Sequence, residues 1–168
     1  IKPENLTVTR RKIEGLQHLT DMGVEVTSDN QAAVKGKGLV IVAVKPYKIA
    51  EILQSLTNEF NVLKPIVVSV VTGVDLEDMQ ERVPNDVPLF RAMPNTAIAI
   101  GQSMTCISCN NGSDAQIDTV KQLFDQLGKS VVIDDELMEA ATVQGACGIA
   151  YAMRFIRAAT QGGIEIGF

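Results

Sequence analysis

The stretch that decides the fold is Gly38-Leu39-Val40-Ile41-Val42-Ala43-Val44-Lys45-Pro46. Residues 39–44 are apolar without alternation and mostly β-branched, which is typical of a strand buried on both faces in a helix-covered parallel sheet. Lys45 and Pro46 end the strand, because proline supplies no N–H for the ladder. We therefore expect a polar loop at the carboxyl end of a buried parallel strand, where open α/β sheets bind ligands.

The segments on either side repeat this pattern. A second strand, apolar except for Ser69, is predicted over residues 66–71, and amphipathic helices are predicted over 11–22 and 47–60. Shorter strands are predicted over residues 6–8, 24–26, 89–92 and 131–133. Strands that alternate with helices at this spacing predict an α/β fold with a Rossmann-like, doubly wound, mostly parallel sheet.

The composition of the sequence changes near Glu136. Beyond this residue the chain is rich in Ala and Gly and is predicted to be helical. We therefore expect a dinucleotide-binding domain over 1–135 and the start of an all-helical dimerisation and substrate domain over 136–168. The segment 140–168 is apolar on several sides, so we expect it to be buried against a partner subunit in a homodimer or higher homo-oligomer.

Composition narrows the class of protein. The chain has 168 residues, 46% of them hydrophobic and 21% charged, which fits one sizeable core and argues against disorder. The net charge of −5 argues against a nucleic-acid partner, and no apolar run is long enough to span a bilayer. Three cysteines without framework spacing favour a reducing, cytoplasmic setting.

Two polar segments follow predicted strands and could bind a dinucleotide. Arg10 and Arg11 come after the first strand, where arginine accommodates a 2′-phosphate, although a solvated helix start is about equally compatible. Lys45-Pro46 and Thr72-Gly73 follow two neighbouring apolar strands and would form the walls of a nicotinamide-ribose site.

Two further segments combine polar or flexible residues with apolar surroundings. Arg91 inside an apolar strand, followed by Asn95-Thr96, suggests a polar pocket, or an Asn-Thr turn that satisfies its own backbone. Gly145 and Gly148 should bend the long helix, which suits either a substrate loop or close helix packing. The Cys106-x-x-Cys109 pair has no second pair, so a structural role is favoured and no metal site is predicted.

Four motifs occur in a recognisable order and spacing: Ala43-Val44-Lys45-Pro46, Val67-Val68-Ser69, Arg91-Ala92-Met93-Pro94-Asn95-Thr96, and residues 148–151 leading to Gly162-Gly163. In this the chain resembles the pyrroline-5-carboxylate reductases over nearly its whole length. The resemblance implies an oxidoreductase that transfers a hydride from NAD(P)H to the imine carbon of 1-pyrroline-5-carboxylate, giving L-proline in proline biosynthesis. The side chains Arg10 and Arg11 favour NADP(H), with NAD(H) possible.

The resemblance also implies residue roles. Cofactor contacts fall on Thr9, Arg10 and Asn30 at the adenosine end, and on Ala43, Val44, Lys45, Pro46, Val70, Val71 and Thr72 at the ribose and nicotinamide. Arg11 joins the first group because of its charge beside Arg10. Substrate contacts fall on Asn95, Thr96, Asp135 and Gly148. No particular residue is predicted to be catalytic.

The chain departs from the family pattern in three respects. Ile149 stands where the family usually has a proline at the helix break, and Gly145 and Cys147 stand where serines are expected. The family's N-terminal glycine-rich loop and most of its C-terminal dimerisation helices have no counterpart, so we expect the sequence to be a fragment. The alternatives are a β-hydroxyacid dehydrogenase-like enzyme, which would need a lysine in the final helix, and a non-catalytic dinucleotide-binding relative.

Overall fold

The computed structural model describes every residue from Ile1 to Phe168. It contains seven strands: β1 Thr7–Thr9, β2 Glu25–Thr27, β3 Leu39–Val42, β4 Ile66–Ser69, β5 Leu89–Met93, β6 Ser103–Asn110 and β7 Gly128–Val132. The α-helices are α1 Gln17–Asp21, α2 Asn30–Val34, α3 Pro46–Ser55, α4 Thr57–Leu63, α5 Leu76–Gln80, α6 Asp114–Asp125, α7 Met138–Ala141 and α8 Gly148–Glu165. A π-helical segment, Thr142–Cys147, joins the last two.

The strands form two separate sheets. β1 and β2 make a parallel pair, and the other five follow the order β3-β4-β5-β6-β7. Every neighbouring pair is parallel except β5 and β6, which run antiparallel. The prediction of an α/β fold with a mostly parallel sheet is therefore confirmed.

The strand predicted over residues 39–44 is not buried on both faces. β3 ends at Val42 rather than Val44, and Ile41 within it is 47% exposed. The reason is its place at the edge of the five-stranded sheet, where β4 is its only neighbour. The predicted double burial is found instead in β5, all five residues of which are buried.

Two predicted helices are shorter than expected. The helix over 47–60 is divided into α3 and α4 at Leu56, where the Thr57 hydroxyl bonds to the Leu53 and Gln54 carbonyls and competes with the regular helical pattern. The helix predicted over 11–22 is reduced to a 3₁₀ turn and α1, and the apolar residues Ile13 and Met22 within that range are exposed. The small sheet offers little apolar surface on which a longer helix could pack.

The five-stranded sheet has an apolar core on each face, as alternation along its strands requires. One core joins residues of β3, β4 and β5 to α3, α4 and α5, with Phe60 and Leu53 at its centre. The other packs Val68 and Phe90 of the sheet against Val120 of α6. The sheet is thereby covered by helices on both sides.

Short polar caps begin three of the helices. The Asp29 carboxylate accepts from two backbone N–H groups of α2, and the Asp75 carboxylate accepts from the N–H of Asp78 in α5. Ser113 forms a reciprocal capping box with Gln116 at the start of α6.

The chain beyond Asp135 is helical, in agreement with the sequence. The bend predicted at Gly145 and Gly148 takes the form of the π-helical segment. No residue of α8 is buried within this chain, so the expected burial of its apolar surface is not met by intramolecular contacts. None of the helices is both long and apolar enough to cross a membrane.

Candidate functional site

The predicted nicotinamide and ribose loops lie side by side. Strands β3 and β4 are parallel and in register, with Val42 opposite Ser69, so their carboxyl ends share one edge of the sheet. The backbone N–H of Val70 donates to the carbonyl of Val42 at 3.1 Å, which fixes the start of the second loop against the end of β3. The segments 43–46 and 70–72 therefore meet at the edge where open α/β sheets bind ligands.

The local conformation of each loop follows from its sequence. Lys45 is extended, with ψ of 147°, because Pro46 disfavours helical backbone before it, and Pro46 then occupies the first turn of α3. In the second loop Val71 is buried while Thr72 is exposed, and the Thr72 hydroxyl lies 3.7 Å from the sulfur of Met93 at the end of β5. Three consecutive parallel strands thus contribute to one edge.

Asn95 is the residue that connects this edge to the helical region. Its Oδ1 accepts from the N–H of Ala97 at 3.0 Å, and its own N–H donates to the Ser103 hydroxyl at 3.2 Å. Its Nδ2 donates to the carbonyl of Gly145 at 3.2 Å, across fifty residues of sequence. Thr96, next to it, is exposed.

The bond from Asn95 ends on the π-helical segment, an arrangement often found at functional sites. The N–H of Gly148 donates to the carbonyl of Val143, so its hydrogen bond spans five residues instead of four. Gly148 is half-buried and Cys147 is exposed. Asn95, Thr96 and the segment carrying Gly148 thus form one group at the sheet edge that carries the loops predicted to bind cofactor.

The predicted adenosine-binding residues lie on the small sheet. Thr9 and Arg10 are at the carboxyl end of β1, where the N–H of Arg10 donates to the carbonyl of Thr27, and Asn30 opens α2. Neither Arg10 nor Arg11 has a carboxylate partner.

The charge of Arg11 acts on a carboxyl group of α3. The pKa of the Glu51 carboxyl in α3 is lowered mainly by its hydrogen bond and charge pairing with Lys48, and the charge of Arg11 adds to this.

Asp135 lies apart from this group, in a buried polar cluster. Arg91, with a side chain 4% exposed, donates from Nη1 to Asp135 Oδ1 at 3.3 Å, and the Ser108 hydroxyl donates to the same oxygen at 2.5 Å. The other oxygen accepts from the N–H of Leu76 at 3.1 Å. The carboxylate thus holds α5, β5 and β6 together and contacts neither Asn95 nor Thr96.

This cluster borders a cleft of about 570 Å³. Gly73 and Asp75 of the loop after β4 line it on one side, and Glu136 and Glu139 line it on another. The polar pocket predicted around Arg91 therefore exists, but it is separate from Asn95 and Thr96.

The sequence predicts no role for the side chains of Ser69 and Ser108. Both are buried and flank Arg91 in the register of β4, β5 and β6. Ser108 lies within Cys106-x-x-Cys109, whose two thiols have their pKa raised by burial, and no group of His, Cys, Asp or Glu is arranged to hold a metal ion. Only the antiparallel pairing of β5 and β6 reveals that Ser108 faces Arg91.

Comparison with known proteins gives a consistent picture. A family model described as "NADP oxidoreductase coenzyme F420-dependent" matches residues 2–73. Pyrroline-5-carboxylate reductase 1 of Dictyostelium discoideum is 39% identical, and the match covers 99% of this chain and 32% of the relative. The Aquifex aeolicus pyrroline-5-carboxylate reductase is 32% identical, and the match covers 98% of this chain and 61% of the relative. The chain thus spans about a third to three fifths of these relatives.

Solved structures show the same fold. A pyrroline-5-carboxylate reductase from Coxiella burnetii superposes with a TM-score of 0.91 and 22% identity, over 96% of this chain and 61% of that one. The Plasmodium falciparum pyrroline carboxylate reductase, solved with NADP bound, superposes with a TM-score of 0.85 and 22% sequence identity. That match covers 100% of this chain and 62% of the Plasmodium chain.

The sheet order and the loops gathered at its carboxyl edge define a Rossmann-like, dinucleotide-binding class of protein. The sequence relatives that match almost all of its residues make the chain similar to pyrroline-5-carboxylate reductases.

Proposed function

We propose that the protein containing this chain reduces 1-pyrroline-5-carboxylate to L-proline with NADP(H), or less favourably NAD(H). The structural observation that carries the proposal is the bond from Asn95 Nδ2 to the Gly145 carbonyl. It joins the edge that carries the cofactor loops to a break in the following helix, so cofactor and substrate segments stand next to each other. The names of the sequence relatives supply the substrate.

The residues on the two sheets fit a dinucleotide. The guanidinium groups of Arg10 and Arg11 have no carboxylate partner and are free to bind a phosphate of the adenosine end, beside Thr9 and Asn30. The segments 43–46 and 70–72 would hold the ribose and nicotinamide. When bound, the cofactor supplies the hydride, and the chain's own residues bind and orient the reactants.

The substrate side is formed by Asn95, Thr96 and Gly148. Asn95 binds the helix break through its amide nitrogen and its own loop through its amide oxygen, so it fixes the spacing between the two. The role of Asp135 toward substrate is indirect, because its carboxylate is already engaged by Arg91, Ser108 and the N–H of Leu76.

The same proposal extends to the domains of the chain and to its assembly with a second subunit. We assign residues 1–135 to cofactor binding and 136–168 to the start of a helical domain for dimerisation and substrate binding. The exposed apolar side chains of α8 then face a second subunit in a homo-oligomer. Three free cysteines suit a cytoplasmic setting.

The test is NADPH oxidation with 1-pyrroline-5-carboxylate by the natural protein that contains this chain, compared with its Asn95→Asp variant. The variant keeps the acceptor for Ala97 and loses the donor to Gly145, so we expect kcat/KM to fall about tenfold, which corresponds to one lost hydrogen bond of about 1.4 kcal/mol. Asn58→Asp, on an exposed position of α4, is the matched control.

Absence of turnover in the unmodified protein, with NADPH bound, would contradict the proposed substrate. Equal loss in both variants would show that Asn95 has no special place in the site.

A further inference from the structure

We propose that a buried row of three side chains, Ser69, Arg91 and Ser108, positions the loop that follows β4. This loop, residues 70–75, includes the segment 70–72 that we expect to meet the ribose and nicotinamide of the cofactor, so the inference rests on the proposed function. All three side chains are buried within the sheet. They therefore act on the cofactor through the backbone of the loop, as positioning residues.

The three residues lie side by side across adjacent strands. Ser69 of β4 pairs with Arg91 of β5, and Arg91 pairs with Ser108 of β6. Paired residues project their side chains from the same face of a sheet, so the three form one continuous polar row. Because a buried charge and buried hydroxyls are costly unless they are bonded, the bonds that they make show what the row holds in place.

The first member of the row, Ser69, anchors the start of the loop. The N–H of Val71 donates to the Ser69 Oγ at 3.2 Å, next to the bond from the N–H of Val70 to the carbonyl of Val42. Val71 is only 2% exposed, so water cannot replace the hydroxyl as the acceptor. Loss of this hydroxyl would leave a buried N–H unpaired at the point where the loop begins.

The other two members anchor the end of the loop through Asp135. Arg91 Nη1 and the Ser108 hydroxyl both donate to Asp135 Oδ1, and Oδ2 accepts from the N–H of Leu76 at 3.1 Å. Leu76 is the first residue of α5, where backbone N–H groups have no partner within the helix. The helix's own cap, Asp75, accepts from a residue further along α5, so the acceptor for Leu76 comes from Asp135.

Between these two anchors the tip of the loop, Thr72 and Gly73, has few contacts. Both residues are exposed, and the Thr72 hydroxyl has one weak bond, 3.7 Å long, to the sulfur of Met93. Gly73 has a φ of 76°, and nothing lies within 4 Å of the position that a Cβ would take there. The placement of the tip therefore depends on the bonds at either end of the loop.

The test compares two ligands that share the adenosine end of the cofactor. NADPH carries the nicotinamide and its ribose, whereas adenosine 2′,5′-bisphosphate lacks both. In calorimetric titrations of the natural protein that contains this chain, Ser69→Ala and Ser108→Ala should each weaken NADPH binding about fivefold, as expected for one hydrogen bond, and leave the affinity for the bisphosphate unchanged. Both variants keep the ion pair of Arg91 with Asp135, so the fold is retained.

Ser130→Ala is the matched control. The Ser130 hydroxyl also donates to a carboxylate, that of Asp125 at 2.7 Å, but it lies on β7, three strands away from the strand that carries the loop. Its removal should leave the affinities for both ligands unchanged.

Equal weakening of the two ligands in the Ser69 and Ser108 variants would indicate a general defect of the fold and would overturn the proposal, as would unchanged NADPH binding in both. Failure of the unmodified protein to bind NADPH would contradict the proposed cofactor and overturn this inference with it. Because the titrations contain no 1-pyrroline-5-carboxylate, a wrong assignment of the substrate would not alter their result, so the two failures are distinguishable.

Discussion

Asp135 shows how the surroundings of one residue decide its role. The resemblance to the reductases predicts that this carboxylate contacts substrate, which stays a prediction. In the structure the carboxylate binds Arg91 and Ser108. Arg91 is almost completely buried in the middle of β5, where water cannot solvate its charge. The guanidinium therefore needs a charged partner within the protein. Asp135 supplies that partner.

Asp135→Asn should therefore destabilise the fold. The substitution leaves the buried guanidinium of Arg91 without its counter-charge, for which we expect a loss of about 3 kcal/mol in the free energy of unfolding, measured with urea. Asp134→Asn is the matched control, because Asp134 is exposed and makes no side-chain cap bond, and it should change stability by less than roughly 0.5 kcal/mol. Equal stability of the two variants would show that the ion pair is not needed for folding.

The three cysteines should differ in reactivity. Burial raises the pKa of Cys106 and Cys109, so less thiolate is present at a given pH, while Cys147 is exposed in the π-helical segment. At pH 8 iodoacetamide should modify Cys147 first, as followed by peptide mass spectrometry, and Cys147→Ser should remove the fast phase. Raising the pH should accelerate modification of the other two thiols. A fast phase that persists in Cys147→Ser would contradict this order.

At the scale of elements, features that depend on adjacent residues follow from the sequence, whereas features that depend on neighbouring strands do not. Asp29, Asp75 and Ser113 cap their helices, and Gly23 follows α1 with φ of 87°; each of these features depends on only a few adjacent residues. The exposure of Ile41 could not be predicted, since it depends on which strand lies beside β3.

In the candidate site, too, some features follow from the local sequence and others depend on how distant elements pack. Loops that follow strands were located from the sequence, because strand ends are marked by Pro46 and Gly73. The contact between Asn95 and Gly145 and the pairing of Arg91 with Ser108 were not, because each joins residues far apart in the chain through the packing of whole elements.

Gly128 at the start of β7 should not tolerate a side chain. Its φ is 145°, and a Cβ there would lie 2.1 Å from the backbone oxygen of Ser103 in β6. Gly128→Ala should cost roughly 3 kcal/mol or more of stability, because backbone cannot move aside as a flexible side chain can. Gly36→Ala is the comparison: φ is 71° but nothing lies within 4 Å, so only the backbone strain of about 1 kcal/mol is expected. Thermal unfolding of equal midpoint in the two variants would refute the close contact.

At the scale of the whole molecule, α8 is the feature that the isolated chain leaves unexplained. Tyr151, Met153, Phe155 and Ile156 are 56% to 76% exposed along one helix. An apolar surface of this kind marks an interaction site, and the proposed homo-oligomer would bury it.

Phe155→Glu should weaken that assembly without unfolding the chain. Because Phe155 is 76% exposed within the chain, the free energy of unfolding should change by less than roughly 0.5 kcal/mol. Burial of the phenyl ring at a subunit interface contributes about 2 kcal/mol, so its loss corresponds to roughly 30-fold weaker association. Sedimentation velocity at several concentrations measures this. Val62→Glu, at an 81% exposed position on α4, should leave association unchanged. A monomeric unmodified protein at micromolar concentration would contradict the assembly.

The separation of β1 and β2 from the larger sheet has a consequence for local unfolding. Val24 is the only buried residue among residues 1–32, so little apolar contact resists opening of this pair, and its amide protons should exchange with solvent through a low-energy local fluctuation. Arg10 and Asn30, which we propose bind the adenosine end of the cofactor, belong to this weakly protected part. Since a ligand stabilises the form it binds, slowed deuterium uptake over residues 7–30 would report cofactor occupancy directly, without any turnover.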